Sequence, residues 1–497
     1  MYFKERIMHQ LFHLTPGQGG SLQQQLRKQV SAAILNGSIP FNQPLPSSRK
    51  LSQQLKVARN TVVLTYEYLL DDGYLLARER SGYYVNPDIL TGKVKLPKGA
   101  VTSTLTKKPA PNWATRFKLN PSQHTNIVKP RDWQKYEYPF NYGQFDASMF
   151  PTVNWRECCR DTVSSDSIKD WASDRVDKDD PLLIEQIRTR LLPRRGIWAS
   201  DDEILLTVGA QQSLYMLAQL LLDKTSTIGL ETPGYVDIRN IVKLNPSQIK
   251  PLPIDQNGLI VDDNLNACDL IYTTPSHQCP TTVTMPIERR YELLEKAEKN
   301  DFIIIEDDYE SEVNFDSNPV PALKSLDHSD RVVYIGSLSK TLAPGLRLGY
   351  VVGSAELIRE LRALRRLMVR HPAANNQRSV ALFIERGYYD SLIMNMTRKY
   401  HTRWKAMDEA LTKYLPESHS QPSFGGSCYW VKGPEGLSSH ELQIRAKLEG
   451  ILIESGTIHF LDESPPTNYF RLGFSSIATD KIDAGIKKLA NLIHSMV

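Results

Sequence analysis

Leu22, Leu26, Val30 and Ile34 recur every four residues, the spacing that lines one face of an α-helix, and Gly37 ends the run. Leu45-Pro46-Ser47-Ser48-Arg49 follows, with a serine placed to cap a second helix that runs through Leu55. Beyond a tight turn, Arg59-Asn60-Thr61-Val62-Val63 opens a third helix whose buried side is Val62, Tyr66, Leu69 and Leu70, and Gly73 stops it. Tyr74-Leu75-Leu76-Ala77 and Tyr83-Tyr84-Val85 then read as two short strands around the tip Arg78-Glu79-Arg80-Ser81-Gly82. Three short helices and a two-stranded wing make a winged helix-turn-helix over residues 1–86.

From about Asn86 to Tyr136 the periodicity disappears. Prolines recur at Pro87, Pro97, Pro109, Pro111, Pro121 and Pro130, among Lys93, Lys95, Lys98, Lys107 and Lys108. Such a composition cannot bury enough apolar surface to fold alone, so residues 87–137 read as a flexible or surface-hugging basic linker. Beyond it, from residue 138 to 497, helical stripes alternate with short apolar runs. Thr227-Ile228-Gly229-Leu230, Leu270-Ile271-Tyr272-Thr273, Phe302-Ile303-Ile304-Ile305 and Val332-Val333-Tyr334-Ile335 read as buried strands. A helix over residues 288–299 lies between two of them, so the expected fold class is α/β with a mostly parallel sheet. In such sheets ligands sit at the carboxyl ends of the strands, where this sequence places its polar clusters.

Composition changes this picture in one respect. The chain has 497 residues and a net charge of +4, but residues 1–110 carry fifteen Lys/Arg against six Asp/Glu, which leaves −5 on the remainder. A basic amino-terminal domain on an acidic body fits a DNA-binding module joined to a small-molecule domain. No apolar run is long enough to span a membrane, and the start Met1-Tyr2-Phe3-Lys4-Glu5-Arg6 lacks an apolar signal core, so a cytoplasmic protein is expected. The five cysteines are scattered without a CxxC pair, which indicates neither a disulfide framework nor a metal site.

In the amino-terminal module the two helix starts carry Ser47, Ser48 and Arg49, then Arg59, Asn60 and Thr61, where side chains and free backbone N–H groups point outward toward base edges and phosphates. Arg80, Ser81 and Gly82 at the wing tip would reach the DNA backbone or minor groove. The texts Leu45-Pro46-Ser47-Ser48-Arg49-Lys50-Leu51, Arg59-Asn60-Thr61-Val62, Gly73-Tyr74-Leu75 and Ser81-Gly82-Tyr83-Tyr84-Val85 closely resemble the GntR family of bacterial transcription factors over residues 16–86. Ala58 departs from that family, which usually has a serine cap at the start of the recognition helix.

In the body, Lys340 sits in Ser337-Leu338-Ser339-Lys340 just past an apolar strand, with Arg347 seven residues on. An amine placed there can hold an aldehyde cofactor as an imine, while Ser337, Ser339 and Arg347 take its phosphate. Gly209-Ala210-Gln211 opens an apolar helix whose first amides suit a phosphate. Tyr235, after a Pro-Gly turn, can stack on a heteroaromatic ring. His277 and Gln278 lie in a polar loop that could border that ring. Asp307, directly after a strand, would keep a pyridine nitrogen protonated, and Tyr309 could bond a phenolate oxygen. Arg471 could clamp a carboxylate bidentately. Taken singly, each cluster also has an ordinary reading as a solvated turn, a helix start or a structural hydrogen bonder.

Together these clusters resemble the aspartate-aminotransferase-type, fold-type-I enzymes that use pyridoxal 5'-phosphate. That resemblance places the family's lysine on Lys340, its pyridine aspartate on Asp307, its phenolate tyrosine on Tyr309, its stacking aromatic on Tyr235, its phosphate arginine on Arg347 and its carboxylate arginine on Arg471. With the GntR-like head, the whole chain resembles the MocR subfamily of regulators. This implies a transcriptional regulator that reads a double-stranded DNA operator, senses pyridoxal phosphate or an amine or amino-acid effector, and forms a head-to-tail homodimer. Two stretches depart from the pattern: Pro280-Thr281-Thr282 lacks an expected glycine, and residues 174–179 lack the tyrosine and glycine of Tyr-Gly-Asp-Pro-x-Gly. Two alternatives stay open at this point: a working aminotransferase with a secondary DNA-binding module, and a DNA-binding protein with a cofactor-free body.

Overall fold

A computed structural model describes residues 12–17, 20–79, 81–90, 111–315, 320–416, 418 and 425–497. The chain divides into two compact units between Arg116 and Phe117.

In the amino-terminal unit, α1 (Leu22–Leu35) begins with a capping box in which Ser21 and Gln24 each accept from the other's backbone N–H. The second helix, α2 (Ser48–Leu55), is capped by the Ser47 side chain, which accepts from the Lys50 N–H. No side-chain cap precedes α3 (Arg59–Asp71), whose N-cap residue is Ala58. Leu26, Val30 and Ile34 from α1, Leu51 from α2 and Val62, Tyr66 and Leu69 from α3 close one core, joined by Leu75 and Val85 from the wing. Leu70 is only half-buried at its edge. The buried Tyr66 hydroxyl donates to the Pro46 carbonyl at 2.9 Å, tying α3 to the turn before α2. The wing strands β1 (Leu75–Arg78) and β2 (Gly82–Val85) pair antiparallel, with Arg78 opposite Gly82. Arg80 lies outside the described residues, as do Lys93, Lys95, Pro97, Lys98, Lys107, Lys108 and Pro109 of the expected linker.

The carboxy-terminal unit begins at Phe117, within the stretch whose composition suggests a linker. Residues 117–137 hold short turns rather than a long element, and the Asn240 side chain donates to both the Thr125 carbonyl and the Asn126 side chain at 3.0 Å. Anchoring of this kind leaves no hydrophobic period, so pattern reading cannot detect it. β3 (Tyr138–Pro139) follows.

The large sheet comprises β4 (Ile204–Thr207), β5 (Thr227–Thr232), β6 (Gln248–Asp255), β7 (Gly258–Leu259), β8 (Leu270–Thr273), β9 (Ile303–Asp308), β10 (Val332–Ser337) and β11 (Gly349–Val352), in the order β4-β11-β10-β9-β8-β5-β6-β7. Six of these strands run the same way, and β11 and β7 run against them. Both faces are covered. Leu205, Ile228, Ile305, Val333 and Val351 pack on one side with Leu214 and Leu217 of α4 (Ala210–Leu221). Leu252, Ile271, Ile304 and Val332 pack on the other with Leu293 and Ala297 of α5 (Ile287–Asn300). Burial on both faces is why these strands read as unbroken apolar runs. Lys340 is carried by α6 (Leu338–Thr341), a single turn directly after β10.

A second core lies around a small antiparallel sheet of β12 (Cys428–Lys432), β14 (Glu454–Ser455) and β15 (Tyr469–Gly473), with helices α7 (Tyr388–Tyr414) and α8 (Ile482–His494) against it. The short β13 (Ile451–Leu452) pairs with β3. Among the described residues no helix is long and apolar enough to cross a membrane, and no cluster of His, Cys, Asp or Glu could hold a metal ion.

Candidate cofactor and effector cavity

The carboxyl ends of β4, β9 and β10 meet at a cavity of about 370 Å³, within the usual size of small-molecule sites. Lys340, Asp307, Tyr309, Tyr235, Gly209, Ala210, Gln211, Ser337, Ser339, Arg347 and Arg471 all lie on its wall. His277 and Gln278 do not. Gln278 donates to Glu231 at 3.1 Å and to the Pro233 carbonyl at 2.8 Å, and so holds the loop around it rather than facing the cavity. His277 is buried against Gly425, where an added Cβ would stand 2.5 Å from the ring.

The acidic end of β9 divides by strand alternation, since successive side chains face opposite sides of a sheet. Glu306 accepts from the backbone N–H groups of Leu323 and Lys324, and Asp308 pairs with Arg195 at 2.7 Å and accepts from Tyr334. Asp307 alone reaches the cavity. Its Oδ2 accepts from the Tyr272 hydroxyl at 2.8 Å, and its Oδ1 is buried with no hydrogen-bond partner. Burial pushes the Asp307 carboxyl up to about 7, Tyr272 opposes this, and the charge of Asp308 adds to it.

At the other end, Gly209 enters α4 at φ +79° and offers no side-chain cap, which leaves the first helical amides for a ligand. A Cβ at position 209 would stand 3.0 Å from the Arg347 guanidinium, so glycine is what lets this arginine lie against the helix start. Arg347 Nη2 also donates to the Val208 carbonyl at 3.1 Å. Ser339 has a structural duty: its hydroxyl donates to the Leu348 carbonyl and accepts from the Leu348 N–H. The Tyr235 hydroxyl lies 3.1 Å from both Gln211 and Asp237.

These features fit pyridoxal phosphate. A buried carboxylate oxygen without a donor is costly unless a ligand N–H meets it, and a pyridinium supplies one. The helix start with Arg347 suits a phosphate, and the Lys340 amine lines the same cavity.

Sequence reasoning missed Tyr142, Gly143, Tyr272 and Lys129, all on the wall. Lys340 Nζ donates to the Tyr142 hydroxyl at 3.4 Å, and that hydroxyl donates to Glu310 at 3.0 Å. Tyr272 was legible as part of a strand, but its role depends on a neighbour in β9 that only the sheet order supplies.

Arg471 differs from a free carboxylate clamp. It is fully buried, its Nη2 pairs with Glu454, its Nη1 lies 3.9 Å from Cys279 Sγ, and its guanidinium rests 3.8 Å from the centre of the Tyr142 ring. Burial alone would raise the Glu454 carboxyl, but Arg471 and a 3.0 Å contact with His459 hold it down at about 2. The arginine's charge is therefore already matched within the protein.

Both departures from the family pattern have local explanations. Thr282 adopts φ +63°, the left-handed conformation that a glycine would take without strain, so the loop keeps its turn at a cost of roughly 1–2 kcal/mol. In the stretch 174–179, Asp174 pairs with Arg370, while buried Asp179 binds Arg365 at 2.7 Å, Arg362 at 3.0 Å and the Leu206 N–H. These residues hold the body together and do not line the cavity.

In the amino-terminal unit, Ser47, Arg49, Arg59, Asn60, Ser81 and Gly82 are exposed, and Ser48 and Thr61 are half-buried. Ser47 is occupied as the α2 cap, and the Ser81 hydroxyl is 2.8 Å from that of Tyr84.

The chain matches the gntR family of bacterial regulatory proteins over residues 22–85 and aminotransferase class I and II over residues 182–489. It is 40% identical to the HTH-type transcriptional regulator TauR of Rhodobacter capsulatus, across 97% of this chain and 99% of that one. It is 29% identical to the probable rhizopine catabolism regulatory protein MocR of Rhizobium meliloti, across 94% and 93%. Among solved structures, a kynurenine aminotransferase of Pyrococcus horikoshii in complex with PMP shares 28% identity at a TM-score of 0.70, covering 77% of this chain and 98% of that one.

Proposed function

The chain belongs to the MocR subfamily of GntR-type transcriptional regulators, which join a DNA-binding head to an aminotransferase-like body, and from that premise we propose that it binds pyridoxal 5'-phosphate covalently on Lys340 and senses the cofactor or an amine ligand. The observation that carries this reading is the pairing, on one cavity wall, of the Lys340 amine with the unpartnered buried oxygen of Asp307. When bound, the cofactor supplies an aldehyde carbon open to attack by amines and a ring that withdraws electrons.

The chain's own residues then have separate tasks. Asp307 accepts from the pyridine nitrogen and fixes its proton. The first amides of α4, Ser337 and Arg347 hold the phosphate. Tyr235 covers the ring, and Tyr309 meets its phenolate oxygen. Ser48, Arg49, Arg59, Asn60, Thr61, Ser81 and Gly82 present the DNA-contacting surface, and Arg59 and Asn60 at the start of α3 are best placed to meet base edges. A head-to-tail homodimer is part of this proposal, supported by the exposed apolar run Leu367, Met368 and Val369.

Addition of pyridoxal phosphate to the purified protein should produce a visible absorbance band. Borohydride reduction should leave the cofactor mass on the peptide containing Lys340. Lys340→Ala should abolish both while the protein stays folded by circular dichroism. Equal bands in the two proteins would refute the assignment.

A further inference from the structure

Tyr142 belongs to no helix or strand, yet its place is closely determined. The stretch that carries it lies so near β15 that a Cβ added at Gly473 would stand 2.6 Å from the Tyr142 backbone nitrogen, and the Gly473 N–H donates to the Phe140 carbonyl at 2.9 Å. The Tyr142 hydroxyl has one proton to give. That proton goes to Glu310 Oε1 at 3.0 Å, so the lone pairs of the same oxygen are left to accept, and Lys340 Nζ donates to them at 3.4 Å. Among the described residues this is the one hydrogen bond of the Lys340 amine, which also lies 4.5 Å from the centre of the Tyr142 ring. Glu310 is itself buried. Its Oε1 accepts a second time, from the Ser427 hydroxyl at 2.7 Å, which fixes the carboxylate, while its Oε2 has no hydrogen-bond partner. Burial raises the Tyr142 phenol well above its ordinary value, and the Glu310 charge adds to this, so the group keeps its proton and its direction. A buried carboxylate thus aims a phenol at the amine that the preceding proposal joins to the cofactor.

We infer that Tyr142, oriented by Glu310, is the holding point for the Lys340 amine whenever that amine is not joined to the cofactor. The inference rests on the cofactor reading above and concerns the second state of the same lysine. When a primary amine takes the place of Lys340 on the aldehyde carbon, the carbon–nitrogen double bond to the ligand forms and the one to Lys340 breaks. The two protons that leave the ligand nitrogen arrive on the Lys340 nitrogen, which then donates one to Tyr142. Glu310 acts through Tyr142, as a positioning residue. This hydrogen bond favours both states in which Lys340 is free, the cofactor-free one and the ligand-joined one, over the state in which Lys340 holds the cofactor. It therefore lowers affinity for the cofactor and raises affinity for an amine ligand by one common factor.

The test uses the full chain and reads the cofactor absorbance in two titrations, of pyridoxal phosphate into the protein and of methylamine or glycine into the loaded protein. The control is deoxypyridoxine phosphate, which has a methyl group in place of the aldehyde and leaves Lys340 free, with its affinity read by competition. Tyr142→Phe keeps the ring and removes the hydroxyl. It should bind pyridoxal phosphate about fivefold tighter, bind deoxypyridoxine phosphate as wild type does, and exchange with both amines about fivefold less readily, the size of one hydrogen bond. Glu310→Gln should shift the two constants in the same opposite directions by less, and should add nothing once Tyr142→Phe is present. It also decides the matter by itself if circular dichroism shows the phenylalanine variant unfolded. The inference is overturned if both cofactor forms bind Tyr142→Phe more weakly, which would leave Tyr142 as a part of the cavity wall only. It is equally overturned if neither constant moves, or if wild type exchanges with neither amine. Failure of the underlying reading is visible earlier, as the absence of any band before an amine is added.

Discussion

Asp307 is held in a state that suits a ligand better than it suits the folded protein alone. Its carboxyl is pushed up to about 7 by burial, against an ordinary value of 3.8, and one of its oxygens has no donor. Between those two values the folded chain keeps a proton that the unfolded chain has released, so the stability of the cofactor-free protein falls as pH rises from about 4 to about 7. Asp307→Asn removes this dependence. Urea unfolding of the cofactor-free proteins should show the asparagine variant gaining roughly 2 kcal/mol over wild type near pH 8, with little difference near pH 4. The same substitution should weaken pyridoxal phosphate binding at least about tenfold in absorbance titrations, because the amide cannot stabilise a pyridinium charge. Lys340, Asp307 and Arg347 were legible in the sequence because each follows a recognisable apolar strand or lies a short, fixed distance from one. The state of Arg471 was not. Its partner Glu454 lies on a neighbouring strand of the small sheet, and an ion pair across two strands leaves no local pattern to read.

At the level of elements, the apolar runs read from the sequence became β5, β8, β9 and β10, with their carboxyl ends extended by up to three residues. The extension has a physical cause: Glu306, Asp307 and Asp308 continue the ladder of β9 because Arg195, Arg290 and Tyr272 meet their charges inside the sheet. Sequence patterning stops at the first carboxylate. The stretch 117–137, which its composition leaves open as flexible or surface-hugging, packs on the body through Asn240 and places Lys129 in the cavity, a contact that no hydrophobic period announces. In the DNA-binding unit, α3 starts at Ala58 without a side-chain cap, whereas Ser21 and Ser47 cap α1 and α2. Ala58→Ser should therefore stabilise α3 by about 1 kcal/mol. Hydrogen exchange on the full chain should show slower exchange at the first amides of α3, with rates in the carboxy-terminal unit unchanged.

Across the whole molecule, one chain carries a basic DNA-binding unit and an acidic aminotransferase-like one, and regulation by a ligand of the second requires the two to share a free energy. If ligand binding alters operator affinity by some factor, operator binding must alter ligand affinity by the same factor, because both describe one thermodynamic cycle. For coupling of the usual size, about 1–3 kcal/mol, that factor is roughly 5–150. Two titrations check it. The first measures binding to a duplex selected from a random pool, with and without saturating ligand, at fixed salt, since phosphate contacts make the affinity depend steeply on ionic strength. The second measures ligand affinity from the cofactor absorbance, with and without that duplex. The two ratios should agree within error. Arg59→Ala should weaken the duplex without changing ligand affinity in its absence, because Arg59 is exposed at the start of α3 and the cavity is built wholly from the other unit.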